Sequence, residues 1–427
     1  MSLSLSSDDI CNIDNTEFSG KLLKKRYTVL KIIGYGACAG VWLAYDTVNN
    51  KLVVIKIHTH DSYDEGIAEI NIYKLLKNKK CVMNMLDNFE YDDDEYMRVC
   101  IVFPLYGVDL SYIIKNINKQ TYIHYDTING IIGQIKYAMR CLHEIGRYHG
   151  DIKPDNILTN IFASETSKII EFVHNMNVPN MITKAKKTNK ITTSDIGDMI
   201  YKKFKTFEAS GVNKKKNMHK SNQTNSDSQS SNESDGTDSE CTIWSYHNSP
   251  DNDSDDDIVN DNGDSEIITK FINDSSIVLM DFGLCNKNEP SNSTIQTRYY
   301  RAPEVILKMR HDSTCDIWSI GCIIYELLTG KLLFNPTKTD EISTDKMHLK
   351  KIIEYFGFMS DHFDMPINNT IYFRSDGTLK SVRKLKRKCL LDNMRKNVLE
   401  EFSDNSLNEI CETVLKYLSV NPCNRQQ

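Results

Sequence analysis

A chain of 427 residues can bury a large core and is long enough for two or three lobes or domains. With 26% charged and 40% hydrophobic residues it has the composition of a soluble globular protein, and a formal net charge of -6 gives no overall pull toward nucleic acid or anionic membrane. The cysteines run from Cys11 to Cys423 without a C-x-x-C pair, which leaves zinc little support and makes reduced thiols the expectation. No secretory signal is read between Met1 and Asn15, so a cytoplasmic or nuclear location is expected. The most apolar run, Ile317 to Leu328, is too short for a bilayer and carries Glu326, so it reads as a buried helix.

Residues 1–20 are polar and read as a loose tail. From Tyr27 to Ile33, β-branched and apolar residues predict a strand. Gly34-Tyr35-Gly36-Ala37-Cys38-Ala39-Gly40-Val41-Trp42 follows and runs on into Leu43-Ala44-Tyr45. Strand, glycine turn, strand is an order in which backbone can lie close over phosphates, because Gly34 and Gly36 put no side chain in the way. A plain hairpin accounts for the same residues, whereas a Rossmann dinucleotide fingerprint would run into a helix. Leu52 to Ile57 is an apolar strand broken by Lys56. Such a lysine either faces water at a sheet edge or needs a buried anionic partner. Glu65 to Lys77 has helical spacing with Ile70, Tyr73 and Leu76 on one face, and Glu69 on that helix is the candidate partner. Val99 to Tyr106 reads as a strand ending in an extended connector.

Ile128, Ile131, Ile132, Ile135, Met139, Leu142 and Ile145 form one buried stripe of a long helix that Gly146 can end. His149-Gly150-Asp151-Ile152-Lys153-Pro154-Asp155-Asn156 comes next. Singly, Asp151 could be a cap, Lys153 a surface charge and Asn156 a turn residue. Together they are the groups needed to take a proton from a hydroxyl, steady a phosphate and hold a metal ion. From Lys184 to Lys220 there are eleven lysines against three acidic residues, and from Asp227 to Glu266 thirteen acidic residues and no Lys or Arg. Most of this segment is expected to be disordered, with short helices near Ser164 to Val173 and Ser194 to Phe204. The cluster Lys214-Lys215-Lys216 suits targeting or docking as well as a solvated spacer does. Ile277-Val278-Leu279-Met280 is then a strand ending in Asp281-Phe282-Gly283, and Ala302-Pro303-Glu304 and Asp316-Ile317-Trp318-Ser319-Ile320-Gly321 follow.

In this order the segments resemble the signatures of eukaryotic protein kinases, over about Tyr27 to Asn160 and Ser275 to Gln427. The resemblance implies an α+β bilobal kinase fold: a small antiparallel-sheet N-lobe and a helical C-lobe, with a long disordered insertion in the C-lobe. The implied divisions are a tail at 1–20, the N-lobe at 21–106, the C-lobe at 107–160 and 275–427, and the charged insertion at 161–274. ATP and Mg2+ are the implied cofactors. The loop from Gly34 through Tyr35, Gly36, Ala37, Cys38, Ala39, Gly40 and Val41 to Trp42 would cover the phosphates. Its third glycine position is Ala39, with Gly40 displaced by one. Lys56, with Val54 at the alanine position of V-A-I-K, would pair with Glu69 and the phosphates. Phe103 would be the gatekeeper, Pro104 and Tyr106 would read adenine through backbone groups, and Leu158 would lie under it. Asp151 is the implied acceptor of the substrate proton, Lys153 the residue that offsets phosphoryl charge, and Asn156 and Asp281 the metal ligands. Thr297 would bridge Asp151 and Lys153, Asp316 would hold the catalytic-loop backbone, and Glu304 would pair with Arg425. Five polar side chains, Lys56, Glu69, Asp151, Asn156 and Asp281, would converge on one Mg·ATP.

Lys153 resembles serine/threonine rather than tyrosine kinases, and Arg301 before Ala302-Pro303-Glu304 resembles the CMGC group. Four features together resemble the SR-protein kinases: a non-glycine third loop position, Gly150 where arginine is usual, a long charged spacer, and Ile295-Gln296-Thr297-Arg298. That implies Arg-Ser-rich protein substrates, and Gly150, in place of the arginine that pairs with an activation-loop phosphate, implies activity without such phosphorylation; a monomer with no direct nucleic-acid or membrane partner is expected. D-F-G where these kinases usually have D-L-G is a departure. Dual-specificity YAK-related kinases are the alternative, although Thr294 replaces their activation-loop tyrosine. A nucleotide-binding pseudokinase scaffold is disfavoured because Lys56, Glu69, Asp151, Asn156 and Asp281 are all present.

Overall fold

The computed structural model describes residues 18–425 apart from 37, 94–95, 182, 184–190, 217–261, 284, 288, 290, 338–341, 358–370, 375–377, 381 and 383–384. The chain divides into two units: residues 1–71, 84–105 and 163–251 in the first, and 72–83, 106–162 and 252–427 in the second.

The first unit is built on an antiparallel sheet of β1 (Leu22–Leu23), β2 (Tyr27–Tyr35), β3 (Ala39–Asp46), β4 (Lys51–His58), β5 (Asp87–Asp92) and β6 (Met97–Pro104), in the order β1-β2-β3-β4-β6-β5. Helix α1 (Tyr63–Leu75) follows β4. Strand alternation sends successive side chains to opposite faces. Trp42, Ala44, Val53, Ile55, Ile57, Cys100 and Val102 therefore gather on one face with Phe18, Leu23, Tyr27 and Val29. Leu43 and Tyr45 lie on the other. Two bulges in β2, between Val29 and Lys31 and between Ile32 and Gly34, shift its register against β3 just before the glycine turn.

In the second unit α2 (Leu110–Asn116) begins at Asp109, whose carboxylate accepts from the Tyr112 N–H at 2.7 Å. The predicted stripe from Ile128 to Leu142 lies buried on α3 (Tyr125–Glu144), its last member Ile145 is the half-buried C-cap, and Gly146 follows at φ +68°, the left-handed conformation glycine adopts without a Cβ clash. β7 (Arg147–Tyr148) and β8 (Ile157–Thr159) flank the 149–156 loop.

Among the described residues the insertion carries more helix than the two short stretches predicted. It contains α4 (Ser164–Asn175), α5 (Thr193–Lys216) and α6 (Asn262–Asn273). The first two helices match the predicted short ones but run longer, and they belong to the first unit rather than to the helical lobe. Ile169 and Val173 of α4 and Ile196, Ile200 and Phe204 of α5 pack with Leu30, Leu43 and Tyr45 of the sheet. Their spacing of four residues puts them on one helix face, the apolar stripe that a helix needs to dock, and this stripe outweighs the polar average of the segment. Helix α6 was not expected. The acidic tract between α5 and α6 lies mostly outside the described residues.

The second unit continues with β9 (Ile277–Leu279) antiparallel to β8, β10 (Asn286–Lys287) paired with β7, and α7 (Pro303–Ile306). Then come α8 (Thr314–Thr329), α9 (Thr344–Phe356), α10 (Leu390–Asn397) and α11 (Asp404–Tyr417). Helix α8 is buried from Cys315 to Thr329, as its apolar sequence predicts, and packs against α3, α10 and α11. Among the described residues no helix is long and apolar enough to cross a membrane.

Candidate active site

The glycine turn is a strand–turn–strand element. Gly34 pairs with Val41 and Tyr35 with Gly40, and the Gly36 N–H donates to the Ala39 carbonyl at 2.9 Å. Gly40 is required by a close approach: a Cβ there would sit 2.9 Å from Nε1 of Trp42. The Cys38 carbonyl accepts from the Thr59 N–H at 2.9 Å, which ties the turn to the end of β4. Tyr35 is exposed, whereas Trp42 is fully buried beside Phe18, ring centroids 5.5 Å apart, so its indole belongs to the core and not to a ligand-facing surface. Ala39 and Val41 are also buried, and Ala37 lies outside the described residues.

Lys56 and Glu69 come together as expected. Nζ lies 3.0 and 2.9 Å from the two carboxylate oxygens, and both residues are buried. Burial alone would push the Glu69 carboxyl up, but Lys56 and then His58 bring it down to about 2. Val54 pairs with Phe103, and Val53 with Pro104, at the connector end of the sheet. Val54 and Phe103 are both buried.

The second unit holds the catalytic-loop residues. The Asp316 carboxylate accepts from the His149 and Gly150 N–H groups at 2.8 and 2.9 Å. Burial pushes the Asp316 carboxyl up to about 6, against the pull of His149 and these two donors. His149 accepts from the Asp151 N–H at Nδ1, so its Nε2 hydrogen is directed to the Met280 carbonyl 2.9 Å away. Its ring also packs on Phe282, which in turn packs on Tyr73, with centroids 5.6 and 5.1 Å apart. Asp151 Oδ1 accepts from both the N–H and the hydroxyl of Thr297 at 2.8 Å, and Lys153 Nζ lies 3.5 Å from Oδ2. Asn156 donates through Nδ2 to the Asp151 carbonyl at 2.9 Å. Its Oδ1 is buried without a hydrogen-bond partner. A partner-free amide oxygen is the hard donor Mg2+ takes, so the residue fits that ion. Asp281 follows β9 at φ +64°, an uncommon conformation for a residue with a Cβ. Leu158 is buried in β8, and Tyr106 is half-buried at the start of this unit.

Gln296, which enters the sequence argument only within the resemblance of Ile295-Gln296-Thr297-Arg298, knots the segment before Ala302-Pro303-Glu304. At φ +66° its N–H reaches the Gly150 carbonyl at 2.9 Å. Its amide donates to the Cys315 carbonyl and the Ser319 hydroxyl and accepts from the Ala302 N–H. Its carbonyl accepts from the Arg301 guanidinium, at 2.7 Å from Nη2. No periodicity or composition marks such a residue. Glu304 and Arg425 form the expected buried pair, 2.7 Å between Oε2 and Nη2.

The sequence matches the family model for the protein kinase domain over residues 27–196 and 265–415. It is 29% identical to the protein kinase dsk1 of Schizosaccharomyces pombe, covering 94% of this chain and 78% of that protein. It is 26% identical to the serine/threonine-protein kinase SRPK of Physarum polycephalum, covering 86% and 75% respectively. The putative serine/threonine-protein kinase L205 of Acanthamoeba polyphaga mimivirus is also 26% identical, over 81% of this chain and 74% of that protein.

Proposed function

Because the chain belongs to the protein kinase family and is a serine/threonine kinase most similar to the SR-protein kinases of the CMGC group, we propose that it transfers the γ-phosphate of ATP to serines in basic, Arg-Ser-rich proteins. One observation carries the assignment of roles: Asp151 is held through Oδ1 by Thr297 beside Lys153, and Asn156 is left with a free oxygen. Asp151 orients and accepts the proton of the attacking hydroxyl through Oδ2, the oxygen that Thr297 does not hold. Lys153 offsets charge on the moving phosphoryl group. Lys56 holds phosphate oxygens, and Gly34, Gly36 and Gly40 keep the covering turn slim. Asn156 and Asp281 are the residues that would hold Mg2+, which supplies charge neutralisation at the phosphates. Pro104 and Tyr106 contribute backbone groups to adenine, with Val54, Phe103 and Leu158 as its apolar surroundings.

Two buried carboxyls lie near the catalytic loop, Asp109 capping α2 and Glu326 accepting from the Tyr300 hydroxyl. Burial pushes Asp109 and Glu326 up to about 7, and Asp155 adds to the rise in each.

The test is ATP turnover on an Arg-Ser peptide by the wild-type protein, Lys56→Met and Asp151→Asn. Wild type turns over. Asp151→Asn lowers transfer by about 10²- to 10⁴-fold while ATP still binds. Unchanged turnover in either variant overturns the assigned roles.

A further inference from the structure

Residues two apart on a strand share a face, so Lys56 and His58 of β4 point to the same side, that of Glu69. His58 is 2% exposed, and its Nε2 lies 3.2 Å from Glu69 Oε2, the oxygen that Lys56 approaches to 2.9 Å. The ring is turned off the ideal line, and neither of its nitrogens has a fully formed hydrogen bond. Room for the imidazole comes from Gly66 on α1: a Cβ there would stand 3.0 Å from His58 Cδ2 and 2.9 Å from Val99 Cβ. One residue further along, Thr59 binds the Cys38 carbonyl of the glycine turn.

A buried carboxylate that loses its partner costs a great deal of stability. Lys56 alone would face that difficulty whenever its ammonium turned from Glu69 toward a phosphate. The imidazole edge close to Oε2, with Nε2 at 3.2 Å, lessens it. An apolar side chain would fill the same space, and it would not leave Nδ1 buried and unpaired, which is itself unfavourable.

We propose that His58 is a positioning residue: its ring holds Glu69 and keeps α1 seated, so that Lys56 is shared between Glu69 and ATP. This rests on the kinase reading and names a residue that reading does not require. The sharing works through the nucleotide and leaves the peptide untouched.

The experiment compares wild type, His58→Leu, His58→Met, His58→Gln, Glu69→Gln and the His58→Leu/Glu69→Gln double variant. Affinity for a fluorescent ATP analogue is read together with kcat and KM on an Arg-Ser peptide and with thermal unfolding. Leu and Met remove the N–H, and Met keeps the volume should Leu not fold. The expected result is an affinity for nucleotide about tenfold weaker in these variants, with peptide KM unchanged. Gln, which restores an N–H near the Nε2 position, recovers affinity to within about threefold. In the Glu69→Gln background His58→Leu has no further effect. Wild-type affinity in the Leu and Met variants, Gln as poor as Leu, or full additivity with Glu69→Gln overturns the proposal. If the affinity pattern appears without any peptide phosphorylation, the kinase reading fails and the role of His58 stands. If wild type phosphorylates the peptide and all His58 variants match it, the role of His58 fails alone.

Discussion

Asp281, Gln296 and Gly150 adopt left-handed backbone at φ +64°, +66° and +78°, within one set of segments around the catalytic loop. At Gly150 the conformation aims its N–H at Asp316 and its carbonyl at Gln296. The residue that stands where arginine is usual is thus a backbone junction. Gly150→Ala introduces a Cβ penalty of about 1–2 kcal/mol, and we expect it to lower both the unfolding temperature and kcat. Gly146 is the control: at φ +68° with open space around its would-be Cβ, its alanine variant loses stability but keeps kcat. Thermal melts and steady-state turnover of the two variants separate them. A second prediction concerns Glu69, whose carboxyl is held at about 2 against an ordinary 4.5. A depressed acid stabilises the fold above its unfolded value and loses that contribution as pH falls through about 4.5 toward 2. Glu69→Gln should therefore flatten the acid limb of a plot of unfolding temperature against pH. An unchanged limb would refute the pairing.

Among the elements, α5 shows how a local pattern survives inside a polar tract. Phe204 is fully buried, and Phe207 stacks on Phe172 of α4 with centroids 4.3 Å apart. Lys31 of β2 lies 3.6 Å from Glu208, an ion pair worth little beside the buried aromatics. Phe204→Ala should therefore destabilise the first unit by about 3 kcal/mol, whereas Lys31→Ala changes it by less than about 0.5 kcal/mol. Hydrogen exchange is the measurement, and faster exchange along β2 and α5 in Phe204→Ala alone is the expected outcome. Helix α1 and strand β4 are coupled in the same physical way, but through charge: Lys56, His58 and Glu69 are buried together, and Gly66 sets how close the helix comes.

For the whole molecule, the proposed activity without activation-loop phosphorylation gains support from the network around Gln296. Its side chain, Arg301, Ala302 and Ser319 hold the segment with neutral hydrogen bonds and one guanidinium, which need no phosphate. Phosphatase-treated protein should keep most of its turnover, while Gln296→Ala loses it. Loss of most activity on phosphatase treatment would count against this account. What the sequence determined by itself was chemistry at fixed spacing and periodic burial. The 149–156 loop, Asp281-Phe282-Gly283, the isoleucine stripe of α3 and the apolar α8 were legible because each depends on residues a few positions apart. The tertiary structure alone decided that α4 and α5 join the sheet of the first unit, that Trp42 turns into the core, that His58 meets Glu69, and that Gln296 ties Gly150 to Arg301. Those contacts join residues distant in the chain, and which of many polar or apolar groups meet depends on how whole elements pack, a quantity no local pattern carries.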